Sequence, residues 1–236
     1  MKRIKDSVDA IIFDMDGTIL NTDAVWDTAV LRVLWDRNIS IELHSPEHTA
    51  ILIKTIGQSL PVCMVILKSD FNLPDNPEKL VQEVVSNARE LLQTEIQFIK
   101  GFQDFHKEIQ LVPIPSAIGT NCHPDSLPQL VSSAKLDSFF GPHIYSFADA
   151  GKPKPHPDLF LFAAKKLYAN PERCIVFEDS QFGFDAARAA GMKCIAIKNN
   201  HNKDFYEKHT NAGIDTYDEA IAELVKLYTD ITDSKD

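Results

Sequence analysis

Ala10-Ile11-Ile12-Phe13-Asp14-Met15-Asp16-Gly17-Thr18 is the stretch on which the reading of this chain turns. Four apolar residues in a row, ending in a carboxylate, suit a short strand buried on both faces of a parallel sheet. On an extended chain Asp14 and Asp16 project to the same side while Met15 points away, so two carboxylates face one ligand. Gly17 then permits a sharp exit. With each residue type near 5% of usage, the four fixed residues of this pattern recur by chance roughly once in a thousand chains of this length. A fortuitous turn rich in aspartate and glycine is a poor explanation beside a strand.

Outward from this stretch the same pattern repeats. Ile114 to Thr120, Ile144 to Phe147, Cys174 to Phe177 and Cys194 to Ile197 are short strand-like runs. Helical stretches lie between them: Phe102 to Gln110, Pro124 to Ala134, Pro157 to Tyr168 and Phe182 to Ala190. Alternation of this kind predicts an α/β fold, a doubly wound, Rossmann-like parallel sheet whose ligands sit beyond the carboxyl ends of the strands. Residues 21–99 break the alternation. Trp26, Val30, Val33 and Leu34 keep helical spacing, Leu80, Val84, Val85, Ala88, Leu91 and Leu92 define a second apolar stripe, and Ser45-Pro46 and Asn76-Pro77 read as N-caps followed by a first-turn proline. The expected organisation is a core of residues 1–20 and 100–236 with an inserted all-helical cap domain, 21–99, that begins a few residues after the aspartate pair.

Bulk properties narrow the functions. In 236 residues, 44% are hydrophobic and 25% charged, with a formal net charge of -10, so the chain is expected to fold throughout and not to track nucleic acid. No apolar run suits an export signal or a membrane span, and a cytoplasmic protein is expected. Cys63, Cys122, Cys174 and Cys194 are widely spaced and read as reduced thiols. His44 and His48 are four apart, but Pro46 lies between them, and they read as surface histidines at a helix start.

The motif from Asp14 to Thr18 resembles the first motif of the haloacid dehalogenase superfamily, and three further motifs follow in that family's order across nearly the whole chain: Ala117-Ile118-Gly119-Thr120-Asn121, Gly151-Lys152-Pro153-Lys154-Pro155, and Glu178-Asp179-Ser180-Gln181-Phe182-Gly183. Members of the β-phosphoglucomutase-like branch carry a helical cap inserted after the first motif. The resemblance implies that Asp14 is a nucleophile that takes up a phosphoryl group and that Asp16 is a general acid and base. It implies Thr120 and the backbone of Asn121 as phosphate-binding groups. Lys152, with Lys154 as its rival, is implied as the catalytic, phosphate-binding lysine. Glu178 and Asp179 would join Asp14 and the backbone carbonyl of Asp16 around a metal. Four carboxylates at one sheet edge repel unless a cation is present, and Mg2+ favours such hard oxygen ligands.

The expected function is a magnesium-dependent phosphatase that hydrolyses a small phosphorylated metabolite, such as a sugar or polyol phosphate, as a monomer. A sugar phosphomutase is the nearest alternative; Thr18 and Trp26 stand where those mutases usually carry valine and histidine. Metal-free dehalogenation leaves the Glu178-Asp179 pair unexplained, and a catalytically silent binding protein would show decay of a catalytic position. Substrate choice is expected to involve residues near Lys54, Gly57 and Gln58, with Gly57 read as a helix-ending glycine.

Overall fold

The computed structural model describes residues 2–92, 96–199, 202 and 206–229. The first helix, α1 (Lys2–Ser7), leads into β1 (Ala10–Phe13). Four helices follow without a strand: α2 (Asp23–Trp35), α3 (Pro46–Thr55), α4 (Leu60–Phe71) and α5 (Pro77–Leu91). The alternation then resumes with α6 (Phe102–Leu111), β2 (Ser116–Thr120), α7 (Leu127–Ser133), α8 (Asp137–Phe140), β3 (Ile144–Ser146), α9 (Phe147–Ala150), α10 (Asp158–Lys166), β4 (Cys174–Glu178), α11 (Gln181–Ala189), β5 (Lys193–Ile197), β6 (Ala212–Ile214) and α12 (Ala220–Thr229). All strands pair in parallel in the order β3-β2-β1-β4-β5-β6. In this order the chain leaves β1 in one direction for β2 and β3 and returns beside β1 with β4, so the crevice for a ligand opens beyond the carboxyl ends of β1 and β4.

Period-two alternation explains why both faces of the sheet are covered. Ile11 and Phe13 of β1 join one apolar cluster, while Ala10 and Ile12 join the other. On the second face Ala163 and Ala164 of α10 and Ala186 and Ala187 of α11 are fully buried, and these small side chains let the helices lie close to the strands. On the first face Phe13 sits in a nest of rings, with the centroids of Phe177, Phe102 and Phe140 at 5.3, 5.7 and 5.7 Å. Burying such a ring stabilises the fold by roughly 2–3 kcal/mol. The nucleophile candidate therefore follows directly on one of the best-packed side chains of the core.

His106 on α6 enters the same nest, its ring 4.9 Å from that of Phe140. Burial pushes its pKa down from 6.5 to about 4. The folded value lies below the unfolded one, so the neutral ring contributes stability that is complete above pH 6.5 and lost as pH falls toward 4, about 3 kcal/mol in all. Urea melts at pH 7 and pH 4.5 are expected to show that loss in the wild type and a much smaller one in His106→Phe. Parallel losses in the two proteins would remove His106 as the cause.

The helices between β1 and α6 carry their own stop and start signals. Ser45 Oγ accepts the N–H of His48 and Asn76 Oδ1 accepts the N–H of Lys79, each with proline at the first helical position. Helices α2 and α5 pack along one another and α4 packs on α5. No helix among the described residues is long and apolar enough to cross a membrane. All four cysteines are buried free thiols.

Candidate active site

Asp14 leaves β1 with its N–H donated to the carbonyl of Phe177 on β4. That bond places it beside Glu178, the last residue of β4, and Asp179. Carboxylate oxygens of Asp14, Glu178 and Asp179 all lie within 4.8 Å of one another, and all three residues are buried. The cluster lines a cavity of about 180 Å³ to which α2, α3 and α4 also contribute. Thr120 and Asn121, at the end of β2, also line it.

The lysine at this site is Lys154. Its ammonium donates to Asp14 Oδ1 at 2.5 Å and to Glu178 Oε1 at 2.7 Å, and the residue is 1% exposed. Lys152 is exposed, which corrects the expectation that it is the lysine of the cluster. The reason is Asn121, which brackets Lys154 on both sides of its backbone: Oδ1 accepts the Lys154 N–H at 3.0 Å and Nδ2 donates to the Lys154 carbonyl at 3.3 Å. The same Nδ2 donates to the carbonyl of Gly57 at 2.9 Å. Asn121 thus joins the end of β2, the lysine loop and the turn after α3. Its side chain is a clip, which the expectation of a phosphate-binding backbone did not include. Thr120 Oγ1 accepts the N–H of Cys122 at 2.9 Å, so its own hydroxyl proton is oriented for an acceptor elsewhere.

Glu178 is held at every oxygen. Oε1 takes the Lys154 ammonium, and Oε2 accepts from the N–H of Asp179, the N–H of Ser180 and the hydroxyl of Ser180 at 2.8, 2.7 and 3.0 Å. This leaves it little capacity to bind a cation directly and makes it the fixed counter-charge of Lys154. Gly183, one turn along α11, makes room for it: an added Cβ would stand 1.8 Å from Glu178 Cδ. Asp179 presents its two oxygens to Thr18 Oγ1 at 3.2 Å and Asn199 Nδ2 at 3.0 Å, and its carbonyl accepts from Asn202 Nδ2 at 2.7 Å. Gly17, at φ +74, passes so near that a Cβ there would be 2.4 Å from Asp179 Oδ2.

Asp16 faces a different way. One oxygen, Oδ1, accepts from Thr22 Oγ1 at 2.5 Å and from the indole N–H of Trp26 at 2.7 Å. Its side chain is outside the three-carboxylate cluster. Trp26, read in the sequence as part of the apolar stripe, therefore also positions a carboxyl group. Thr22, Asn199 and Asn202 carried no motif; the one hint for Asn199 is its place just past the carboxyl end of a strand.

Burial dominates the electrostatics. It raises Asp14 to about 8, outweighing the attraction of Lys154 and reinforced by repulsion from Glu178 and Asp16. Asp179 is pushed well above the usual carboxylate range by burial and then by Glu178, Asp23 and Asp14. Burial also raises Asp16, against the bonds from Thr22 and Trp26. For Lys154 burial acts downward, but Asp14 and Glu178 outweigh it and hold the ammonium above its ordinary range. Three carboxylates against one ammonium leave two negative charges in excess if all ionise. A divalent cation on Asp14 and Asp179 fits that excess, and the oxygen donors are of the hard type that Mg2+ or Ca2+ prefers.

His48 is not at the surface as the sequence suggested. It is 2% exposed and lines the cavity with Asp27. Burial raises Asp27 to about 7, with repulsion from Asp23 adding to it. Gly57 does end α3, at φ +76, and its carbonyl contact with Asn121 adds a second role.

The family profile for haloacid dehalogenase-like hydrolases matches residues 11–197. The chain belongs to that family. Among relatives of this haloacid dehalogenase-like hydrolase, fructose-1-phosphate phosphatase YqaB of Escherichia coli is 28% identical over 193 residues, covering 80% of this chain and 95% of that one. Hexitol phosphatase B of Escherichia coli is 28% identical over 205 residues, with coverages of 80% and 82%. In structure, the β-phosphoglucomutase of Clostridium difficile superposes with a TM-score of 0.78 at 22% identity, covering 94% of this chain and 99% of that one, and shows the shared fold.

Proposed function

We propose that this haloacid dehalogenase-like hydrolase is a phosphatase that cleaves a small phosphomonoester, of the sugar or polyol phosphate class, through an aspartyl phosphate on Asp14. The observation that carries this reading is the buried Asp14 carboxylate at the end of β1 with the Lys154 ammonium 2.5 Å away. A positive charge there orients the nucleophile and meets the anionic phosphoryl group, in a site sheltered from water where preorganised charge acts most strongly. The names of the Escherichia coli relatives, fructose-1-phosphate phosphatase and hexitol phosphatase, support the substrate class.

In the proposed sequence a carboxylate oxygen of Asp14 bonds to phosphorus as the ester P–O bond breaks. Asp16, whose raised proton affinity keeps a proton available, gives it to the departing alkoxide. The alcohol leaves. Asp16, now a carboxylate, takes a proton from water as the water oxygen bonds to phosphorus, and the Asp14–phosphorus bond breaks to release phosphate. The two hydrogen bonds that Oδ1 accepts, from Thr22 and Trp26, leave the other oxygen, Oδ2, to carry the proton. Thr120 and the Asn121 backbone are read as holding the phosphoryl oxygens. A Mg2+ ion on Asp14, Asp179 and the Asp16 carbonyl would supply charge neutralisation and polarise the phosphoryl oxygens. Residues 21–99 are read as a cap on a core of residues 1–20 and 100–236.

Phosphate release from a panel of sugar and polyol monophosphates tests the proposal. Turnover is expected with Mg2+, falling at least about 100-fold when a chelator removes the ion. No release from any ester in the presence of Mg2+ would reject it.

A further inference from the structure

Where the main chains of β4 and β5 stop pairing, a buried amide takes over. The last rung between those strands joins Glu178 to Ala196, so Asp179 and Ile197 are the first residues past it. Asn202 Nδ2 donates to the carbonyls of both, at 2.7 and 2.8 Å. An amide nitrogen carries two hydrogens, and here each has an acceptor. Asn202 Oδ1 accepts the N–H of Asn199 at 3.1 Å, and the residue is fully buried. A buried amide is tolerated only with its partners in place, so Asn202 is held as firmly as it holds.

Asn202 in turn fixes the side chain of Asn199. The Asn202 N–H donates to Asn199 Oδ1 at 3.0 Å. A backbone N–H can only donate, so the oxygen of Asn199 faces Asn202 and the amide nitrogen is turned toward Asp179. Asn199 Nδ2 donates to Asp179 Oδ2 at 3.0 Å, while Thr18 Oγ1 donates to Oδ1 at 3.2 Å. Each carboxylate oxygen offers more than one acceptor site, so these donors orient Asp179 and leave it able to face Asp14 and Glu178, whose carboxylate oxygens lie within 4.8 Å. The donors are neutral, and that matters. The charge of Glu178 is answered by the Lys154 ammonium at 2.7 Å, whereas amides and a hydroxyl direct a carboxylate without cancelling its charge. Repulsion from Asp14 and Glu178 would turn an untethered Asp179 side chain away. Closing the sheet needs the Asn202 bonds alone; the bond from Asn199 Nδ2 ends on an oxygen of the three-carboxylate cluster.

We propose that Asn199 and Asn202 are positioning residues for cation binding: interlocked backbone N–H to side-chain oxygen in both directions, they hold the Asp179 carboxylate toward Asp14, so that a Mg2+ ion meets both without first reorienting it. This inference rests on the reading of Asp14 and Asp179 as the carboxylates that hold the ion.

Thermal melts across a Mg2+ titration read affinity without turnover, because an ion that binds only the folded state raises the melting temperature from a concentration set by its Kd. Asn199→Ala and Asn202→Ala are expected to bind Mg2+ at least about tenfold more weakly than the wild type. Phosphate release from p-nitrophenyl phosphate should need the same excess of Mg2+. Once given it, kcat should return to within about threefold of wild type with KM for the ester unchanged, as for groups that act through a ligand of the ion and never on the ester. Leu224→Ala, which empties a fully buried position on α12, should lower the melting temperature yet keep the wild-type Mg2+ response, which separates positioning from lost stability. Asn199 is half-buried, and its variant decides the matter if Asn202→Ala does not fold. An unchanged Mg2+ response in the folded variants, or a kcat that excess Mg2+ does not restore, overturns the inference and leaves the phosphatase reading standing. A wild-type melting temperature that Mg2+ does not move overturns it together with the metal reading.

Discussion

Replacing Asp14 with asparagine is expected to lower phosphate release by at least about 10⁴-fold, a loss of roughly 5 kcal/mol of transition-state stabilisation. The amide keeps the shape of the side chain and can still accept from Lys154, but its oxygen is a poor nucleophile and cannot form a productive acyl phosphate. The fold should survive, and there is a physical reason to expect it. The carboxyl of Asp14 is raised to about 8 by burial, which outweighs Lys154. Because the folded value lies above the unfolded one, the metal-free wild type loses stability as pH rises from about 4 toward 8, and the asparagine variant should be spared that loss. Thermal melts in chelator at pH 5 and pH 8, beside single-turnover rates with Mg2+, measure both effects. Residual turnover above about 1% of wild type, far beyond what a lost nucleophile permits, would remove Asp14 from that role.

Lys154→Met should be nearly as severe, and Lys152→Met should not. Methionine fills the space over the Phe160 ring, which the lysine now occupies with its ammonium 4.7 Å from the centroid. It leaves Asp14 and Glu178 buried against each other without a counter-charge. Breaking a buried pair in this way typically costs about 3–5 kcal/mol, which in a chain of this size lowers the melting temperature by roughly 10–15 °C. Activity should fall at least about 10³-fold, since the charge that meets the phosphoryl group is gone. Lys152 is exposed, and its replacement should leave melting temperature and kcat close to wild type. Assay of the two variants side by side settles which lysine the site uses; the reverse pattern would assign the role to Lys152.

That pair of lysines shows where sequence reasoning stopped. Four of the six strands were legible at nearly their observed limits, because a fully buried strand must be an apolar run and its carboxyl end must be polar where a ligand lies. Strand β2 begins at Ser116, two residues after the apolar run that starts at Ile114. Strand β6 has no such signal: Ala212–Ile214 is three residues long, contains Gly213 and, among the described residues, pairs with β5 alone. The choice between Lys152 and Lys154 depends on Asn121, which lies 33 positions away, and no local spacing records such a contact. Likewise the cap of α3 at Ser45-Pro46 could be read directly, whereas the burial of His48 comes from α2 and the cavity wall and has no local signature. Motifs reported the residues that face phosphate; the groups that hold them came only from tertiary packing.

Gly183 carries a consequence for anyone who would engineer this molecule. A glycine inside a helix normally weakens it by roughly 1 kcal/mol relative to alanine, and swapping it out is a standard route to a hardier protein. Here the vacant position in α11 is the seat of the Glu178 head group, so the substitution that ordinarily toughens a helix would evict the anion that anchors the lysine. Thermal robustness and chemistry compete for the same few cubic ångströms, and the helix keeps its weak link because the reaction chamber needs the room.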